Sequence, residues 1–107
     1  MYFDRINSTI CALATAKGSS IGIIRVSGTK AFEIASKLTG KTKFGHRKAS
    51  FVKIYDGEKT VEKCLLLTFH APFSFTGEDV AEFHVHGAAE NAEEILELIV
   101  KTARYPH

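Results

Sequence analysis

Strand alternation would put Glu82, His84 and His86 on one side of the stretch V-A-E-F-H-V-H, residues 80–86, because successive side chains of an extended chain face opposite ways. Ala81, Phe83 and Val85 take the other side, which reads as core. A carboxylate beside two imidazoles allows three readings. Neutral imidazoles two residues apart can ligate zinc with the carboxylate, provided that a further ligand arrives from elsewhere. The other histidines are His46, His70 and His107, and spacing alone brings none of them close. Alternatively, His84 and His86 are half-buried, hydrogen-bonded residues on a sheet face near an interface. In the third reading Glu82 is a recognition acid with the histidines as pocket wall. Its two acceptor oxygens suit a planar edge with two adjacent N–H donors, such as a 2-amino pyrimidinone.

Arg25 is the second residue out of place. It interrupts G-I-I-R-V-S-G, residues 22–28, an otherwise buried-looking strand, and an arginine in such a place is costly unless paired. It pairs with a protein carboxylate, snorkels to an edge, or holds an anionic or polar ligand. Glu82 is a candidate partner in the first case. In the last, Arg25 and Glu82 line one cavity from two strands.

Other motifs fail. G-K-T at residues 40–42 lacks the earlier glycine of a P-loop, since position 35 is alanine, and it follows a helix where a P-loop follows a strand. No G-x-G-x-x-G occurs. Lys41, Lys43, Arg47 and Lys48 form the densest basic run. It reads as a solvated surface, with phosphate contact as the alternative.

These residues need elements to hold them. Residues 8–16 read as a first strand, 16–20 as a turn and 21–26 as a buried strand. Within residues 10–16, I-C-A-L-A-T-A is too short and lacks the positive flank of a signal peptide. Ser27 is a candidate N-cap for a helix over 29–39, whose apolar positions are Ala31, Ile34, Ala35 and Leu38 and which Gly40 ends. Strands over 48–55 and 61–70 flank the hairpin signal Asp56-Gly57. A loop over 71–78 leads to the strand 79–86. A last helix over 88–103 carries Ala92, Ile95, Leu96, Ile99 and Ala103 as its stripe, broken near Pro106. The order β-β-α-β-β-β-α predicts an α+β fold: a mixed β-sheet with two main helices on one side.

The totals agree with one domain. The chain has 107 residues, 45% hydrophobic and 24% charged, enough for a core without disulfides or metal. A net charge of +2 is too mild to argue nucleic-acid binding by itself. Cys11 and Cys64 sit in apolar runs and read as buried hydrophobes, consistent with a reducing cytoplasm. No run is long enough for a membrane span.

The segments A-T-A-K-G-S-S-I-G-I-I-R-V-S-G (14–28) and A-P-F-S-F-T-G-E-D-V-A-E-F-H-V-H-G (71–87) resemble the N-terminal domain of the MnmE/TrmE family of tRNA-modification GTPases. The resemblance spans almost the whole chain. It implies a fold similar to the folate-binding domains of tetrahydrofolate-dependent enzymes. It further implies a homodimer that binds 5-formyltetrahydrofolate or a related tetrahydrofolate near the dimer interface. Arg25 and Glu82 occupy the family's folate-binding positions, Glu82 facing the pterin edge and Arg25 a polar or carboxylate portion of the ligand.

Through the full-length protein, the resemblance implies a cytoplasmic, membrane-free role with an MnmG-type partner in modifying C5 of the tRNA wobble uridine. GTP, Mg and K belong to a G domain that is expected, with a helical domain, beyond these residues. No catalysis is expected of residues 1–107 by themselves. Two departures stand out: residues 16–20 replace a longer proline- and glycine-rich turn, and Ala88 replaces a glycine. Alternatives to the folate reading are a small metal-dependent enzyme using Glu82, His84 and His86, or a folate-free dimerisation domain.

Overall fold

The computed structural model describes residues 3–6, 9–14, 20–74, 76–86 and 89–104. In chain order the elements are β1 (Phe3–Ile6), β2 (Thr9–Leu13), β3 (Ile21–Ser27), α1 (Ala31–Thr39), β4 (Lys48–Asp56), β5 (Lys59–Phe69), β6 (Val80–His86) and α2 (Ala89–Arg104). The strands form one sheet in the order β1-β2-β3-β6-β5-β4. The α+β class and the two helices are as expected.

Two features of the sheet differ from expectation. Every neighbouring pair is antiparallel rather than mixed. The reason is the path of the one helical crossover: α1 carries the chain from β3 to the far edge strand β4, not to an adjacent parallel position. The chain then returns through two antiparallel neighbours, β5 and β6. The second difference is β1, an edge strand that pairs with β2 over Phe3↔Ala12 to Ile6↔Thr9. Its F-D-R-I sequence carries two charges in four residues, so it lacks the apolar signal of the other strands.

One face of the sheet is dry. Cys11, Ile24, Val26, Leu66, Ala81, Phe83 and Val85 are buried there against Ile34 and Leu38 of α1 and Ile95, Leu96 and Ile99 of α2. The period-two and helical stripes read from sequence meet in this core. Gly22 lets α2 approach closely: a Cβ there would stand 2.5 Å from the Ala92 Cβ. Cys11 and Cys64 are both buried thiols. Burial, with the Glu62 charge adding to it, pushes the Cys64 thiol up to about 12.

Turn chemistry holds at two of the three expected places. Gly40 ends α1 in the left-handed region (φ 76°), its N–H donating to Ser36 O. Gly57 takes φ 65° in the β4–β5 turn. The expected N-cap does not form. Ser27 is the last residue of β3, and α1 begins at Ala31 with Lys30 before it. Instead, the buried Thr9 hydroxyl on β2 accepts the Lys30 N–H at 3.0 Å. A distant strand thus satisfies a helix end that the local sequence leaves open. The departures at residues 16–19 and Ala88, and the break near Pro106, lie outside the described residues.

Candidate functional site

The sheet face turned away from the helices carries the residues in question. On β3 it presents Ile23, Arg25 and Ser27, and on β6 Val80, Glu82 and His84. Arg25 lies directly opposite Glu82 in the β3–β6 register, and Leu67 of β5 lies on the other side of Glu82. The sequence alternation therefore places both predicted ligand residues together, as expected.

They close on each other. Arg25 Nε donates to Glu82 Oε2 at 2.7 Å, and the Nη2 nitrogen of the same guanidinium reaches that oxygen at 2.6 Å. The other carboxylate oxygen, Oε1, accepts from His84 Nε2 at 3.2 Å. The expected cavity between Arg25 and Glu82 is therefore not formed, and the first of the three outcomes for Arg25, pairing with a protein carboxylate, is the one observed. Burial is uneven: the Glu82 side chain is 12% exposed, that of Arg25 38%. The acid is the fixed member. The guanidinium keeps a solvent-facing side with donors to spare. His84 anchors the acid, while His86 is exposed two residues further along. Among the described residues, no group of three or more His, Cys, Asp or Glu side chains is placed to hold a metal.

A second set of contacts explains why this register holds. The loop between β5 and β6 folds back onto the end of β3. The Ser27 hydroxyl bonds the Thr76 hydroxyl at 2.8 Å, and Gly28 N–H donates to Asp79 O at 2.9 Å. Asp79 Oδ1 accepts the Ala71 N–H at 2.9 Å, closing the loop's base. Glu78 N–H reaches Thr76 Oγ1 at 3.3 Å, and Gly77 takes φ 78° between them. Thr76 to Asp79 is thus a turn that starts β6 in phase, so that Glu82 arrives opposite Arg25. By sequence the segment reads as a loop, and the signal for its turn is the T-G-E-D order: a hydroxyl, a glycine and an aspartate at turn positions.

Beyond the β3–β6 ladder, three contacts therefore tie together the segments that bear Arg25 and Glu82: Arg25–Glu82, Ser27–Thr76 and Gly28–Asp79. Residues 9–106 match the model of the family described as "GTP-binding protein TrmE N-terminus". The chain belongs to the TrmE N-terminus family. It is 43% identical over 97 residues to the tRNA modification GTPase MnmE of Campylobacter jejuni (strain RM1221), covering 89% of this chain and 22% of that protein. For the namesake of Aliarcobacter butzleri the identity is 46% over 96 residues, 88% of this chain and 22% of the relative. For that of Sulfurimonas denitrificans it is 52% over 91 residues, 82% of this chain and 20% of the relative. The TrmE N-terminus domain here thus spans about a fifth of the length of these relatives. No helix among its described residues is long and apolar enough to cross a membrane.

Proposed function

We propose that this domain binds a reduced folate of the 5-formyltetrahydrofolate type on its helix-free face, and pairs with a second copy through that face. It does so as the N-terminal module of a GTPase that modifies C5 of the tRNA wobble uridine. The observation that carries the reading is the placement of Arg25 and Glu82, side by side on adjacent strands, with the acid anchored and the guanidinium partly exposed.

The donor set fits the ligand. A 2-amino pyrimidinone edge offers two adjacent N–H donors, which match the two oxygens of Glu82. Those oxygens are occupied by Arg25 and His84, so binding is an exchange. Glu82 gives up the guanidinium and receives the pterin edge. Arg25 turns through its exposed side to a ligand carboxylate. Arg25 exchanges one carboxylate for another, while Glu82 exchanges a charged donor for two neutral N–H donors beside His84, so its oxygens stay hydrogen-bonded. The bound folate would supply a one-carbon unit; this chain's residues bind and orient it.

Dimerisation is supported by the same face. Leu65 and Leu67 are only half-buried there, and Phe51 beside them is 91% exposed. A second copy covers such a surface and encloses the ligand's open side. GTP with Mg and K belongs to the G domain, and the MnmG-type partner and tRNA are engaged through the full-length cytoplasmic protein.

Calorimetric titration with 5-formyltetrahydrofolate tests this. Saturable binding is expected, weakened by about 1–3 kcal/mol in Arg25→Ala and in Glu82→Ala. Undiminished affinity in both variants refutes the site, and absence of binding leaves a folate-free dimerisation domain. Light scattering should give about twice 11.8 kDa.

A further inference from the structure

The loop joining α1 to β4 is unlike the rest of the surface. Residues 34–55 contain six Lys or Arg residues and no Asp or Glu. The whole chain holds 14 basic and 12 acidic residues. The other residues therefore carry 8 basic against 12 acidic, and the charge is strongly polarised. Lys41, Lys43, Arg47 and Lys48 make no ion pair among the described residues. Of these four, all but Lys41 are exposed.

The loop is also built rather than free. Thr68 Oγ1 donates to Gly45 O at 2.6 Å, and His70 Nε2 donates to Phe44 O at 2.6 Å. His46 Nδ1 accepts the His70 N–H at 3.0 Å. Beneath it Phe44 stacks on Phe32 with ring centroids 5.4 Å apart. Above, the His46 ring lies 6.1 Å from Phe73, which the β5–β6 loop leaves 75% exposed. Arg47 is held in the left-handed region (φ 54°), a costly conformation for a non-glycine residue. Solvation alone requires none of this.

We infer that Lys43, Arg47 and Lys48, with His46 and Phe73 beside them, form a contact surface for RNA. The cations take the phosphodiester backbone, and the exposed rings take an unstacked base. A fixed loop loses little freedom on binding, and cations with no ion pair among the described residues have no such partner to give up. This inference rests on the reading of the parent protein as acting on tRNA, but uses a different surface from Arg25 and Glu82.

The test is fluorescence anisotropy of a labelled anticodon stem-loop RNA with the 107-residue chain over a series of salt concentrations. Wild type should bind with a clear salt dependence. The triple variant Lys43→Ala/Arg47→Ala/Lys48→Ala should lose at least tenfold in affinity. Its slope of log affinity against log salt should flatten by roughly 2–3, since each phosphate contact contributes about 0.7–0.9. Phe73→Ala should weaken binding with the slope unchanged. Lys101→Ala, on α2, should do neither. Circular dichroism and 5-formyltetrahydrofolate titration of the triple variant report its folding and its other site.

Equal RNA affinity in wild type and triple variant overturns the inference, as does no RNA binding by a wild type that binds folate; the folate reading then survives. RNA binding lost in the triple variant of a protein that never binds folate upholds the inference and sinks that reading. Phosphatidylserine vesicles bound more tightly than RNA, and released by the same substitutions, assign the loop to a membrane surface and overturn it as well.

Discussion

Breaking the Arg25–Glu82 pair should cost stability asymmetrically. Two guanidinium nitrogens converge on one carboxylate oxygen at 2.7 and 2.6 Å. A charged hydrogen bond of this kind contributes about 1.5–3 kcal/mol when shielded. Arg25 is 38% exposed, so solvent screening reduces this toward the range of surface pairs. A coupling of about 1 kcal/mol is the expected compromise. Glu82 is only 12% exposed. Removing the arginine leaves that acid with His84 as its one side-chain partner among the described residues, whereas removing the acid leaves a guanidinium that water can reach. Arg25→Met, which keeps the apolar stem, should therefore destabilise more than Glu82→Gln, by about 1 kcal/mol. Urea unfolding of both single variants and the double variant, followed by far-UV circular dichroism, measures the cycle. A coupling below about 0.3 kcal/mol, or the reverse asymmetry, would refute the view of Glu82 as the fixed and dependent member.

Three further outcomes follow from the geometry. Gly22→Ala forces a Cβ to 2.5 Å from Ala92 and 3.2 Å from Val85 Cγ2; overpacking should cost about 1–3 kcal/mol, read as a lower thermal midpoint. Arg47→Gly relieves a left-handed backbone (φ 54°) and should raise unfolding stability by about 0.5–1 kcal/mol, an unchanged or lower value counting against strain there. The folded protein keeps the Cys64 proton up to about pH 12, above the ordinary value of 9.0, while the unfolded chain releases it near that lower value. The unfolded state then binds fewer protons, so stability should fall as pH rises from about 9 toward 12. Cys64→Ala should flatten that limb in a pH series of denaturant melts.

Much of this was legible because short-range patterns decide it. Alternation around Glu82 and Arg25 sorted the sheet faces, and the stripe Ile34, Ala35, Leu38 fixed the buried side of α1. Gly40 and Gly57 marked turns whose positive φ favours glycine. What escaped were features set by distant partners. The α1 N-terminus is satisfied by Thr9, 21 residues away, so the local serine signal misled. β1 draws its pairing from β2 rather than from its own apolar content. Strand direction depended on where α1 delivers β4, which no local pattern encodes. For the site, alternation placed Arg25 and Glu82 on one face. Whether they stand apart or touch depends on side-chain lengths across one register step, and they touch.

On the proposed function the Arg25–Glu82 pair opens to hold a folate, and a crystal structure of the protein grown with 5-formyltetrahydrofolate decides this. Glu82 should be hydrogen-bonded to the 2-amino pyrimidinone edge, with Arg25 turned from Oε2 toward the ligand. A folate bound elsewhere with the Arg25–Glu82 contact still at 2.6–2.7 Å would contradict it.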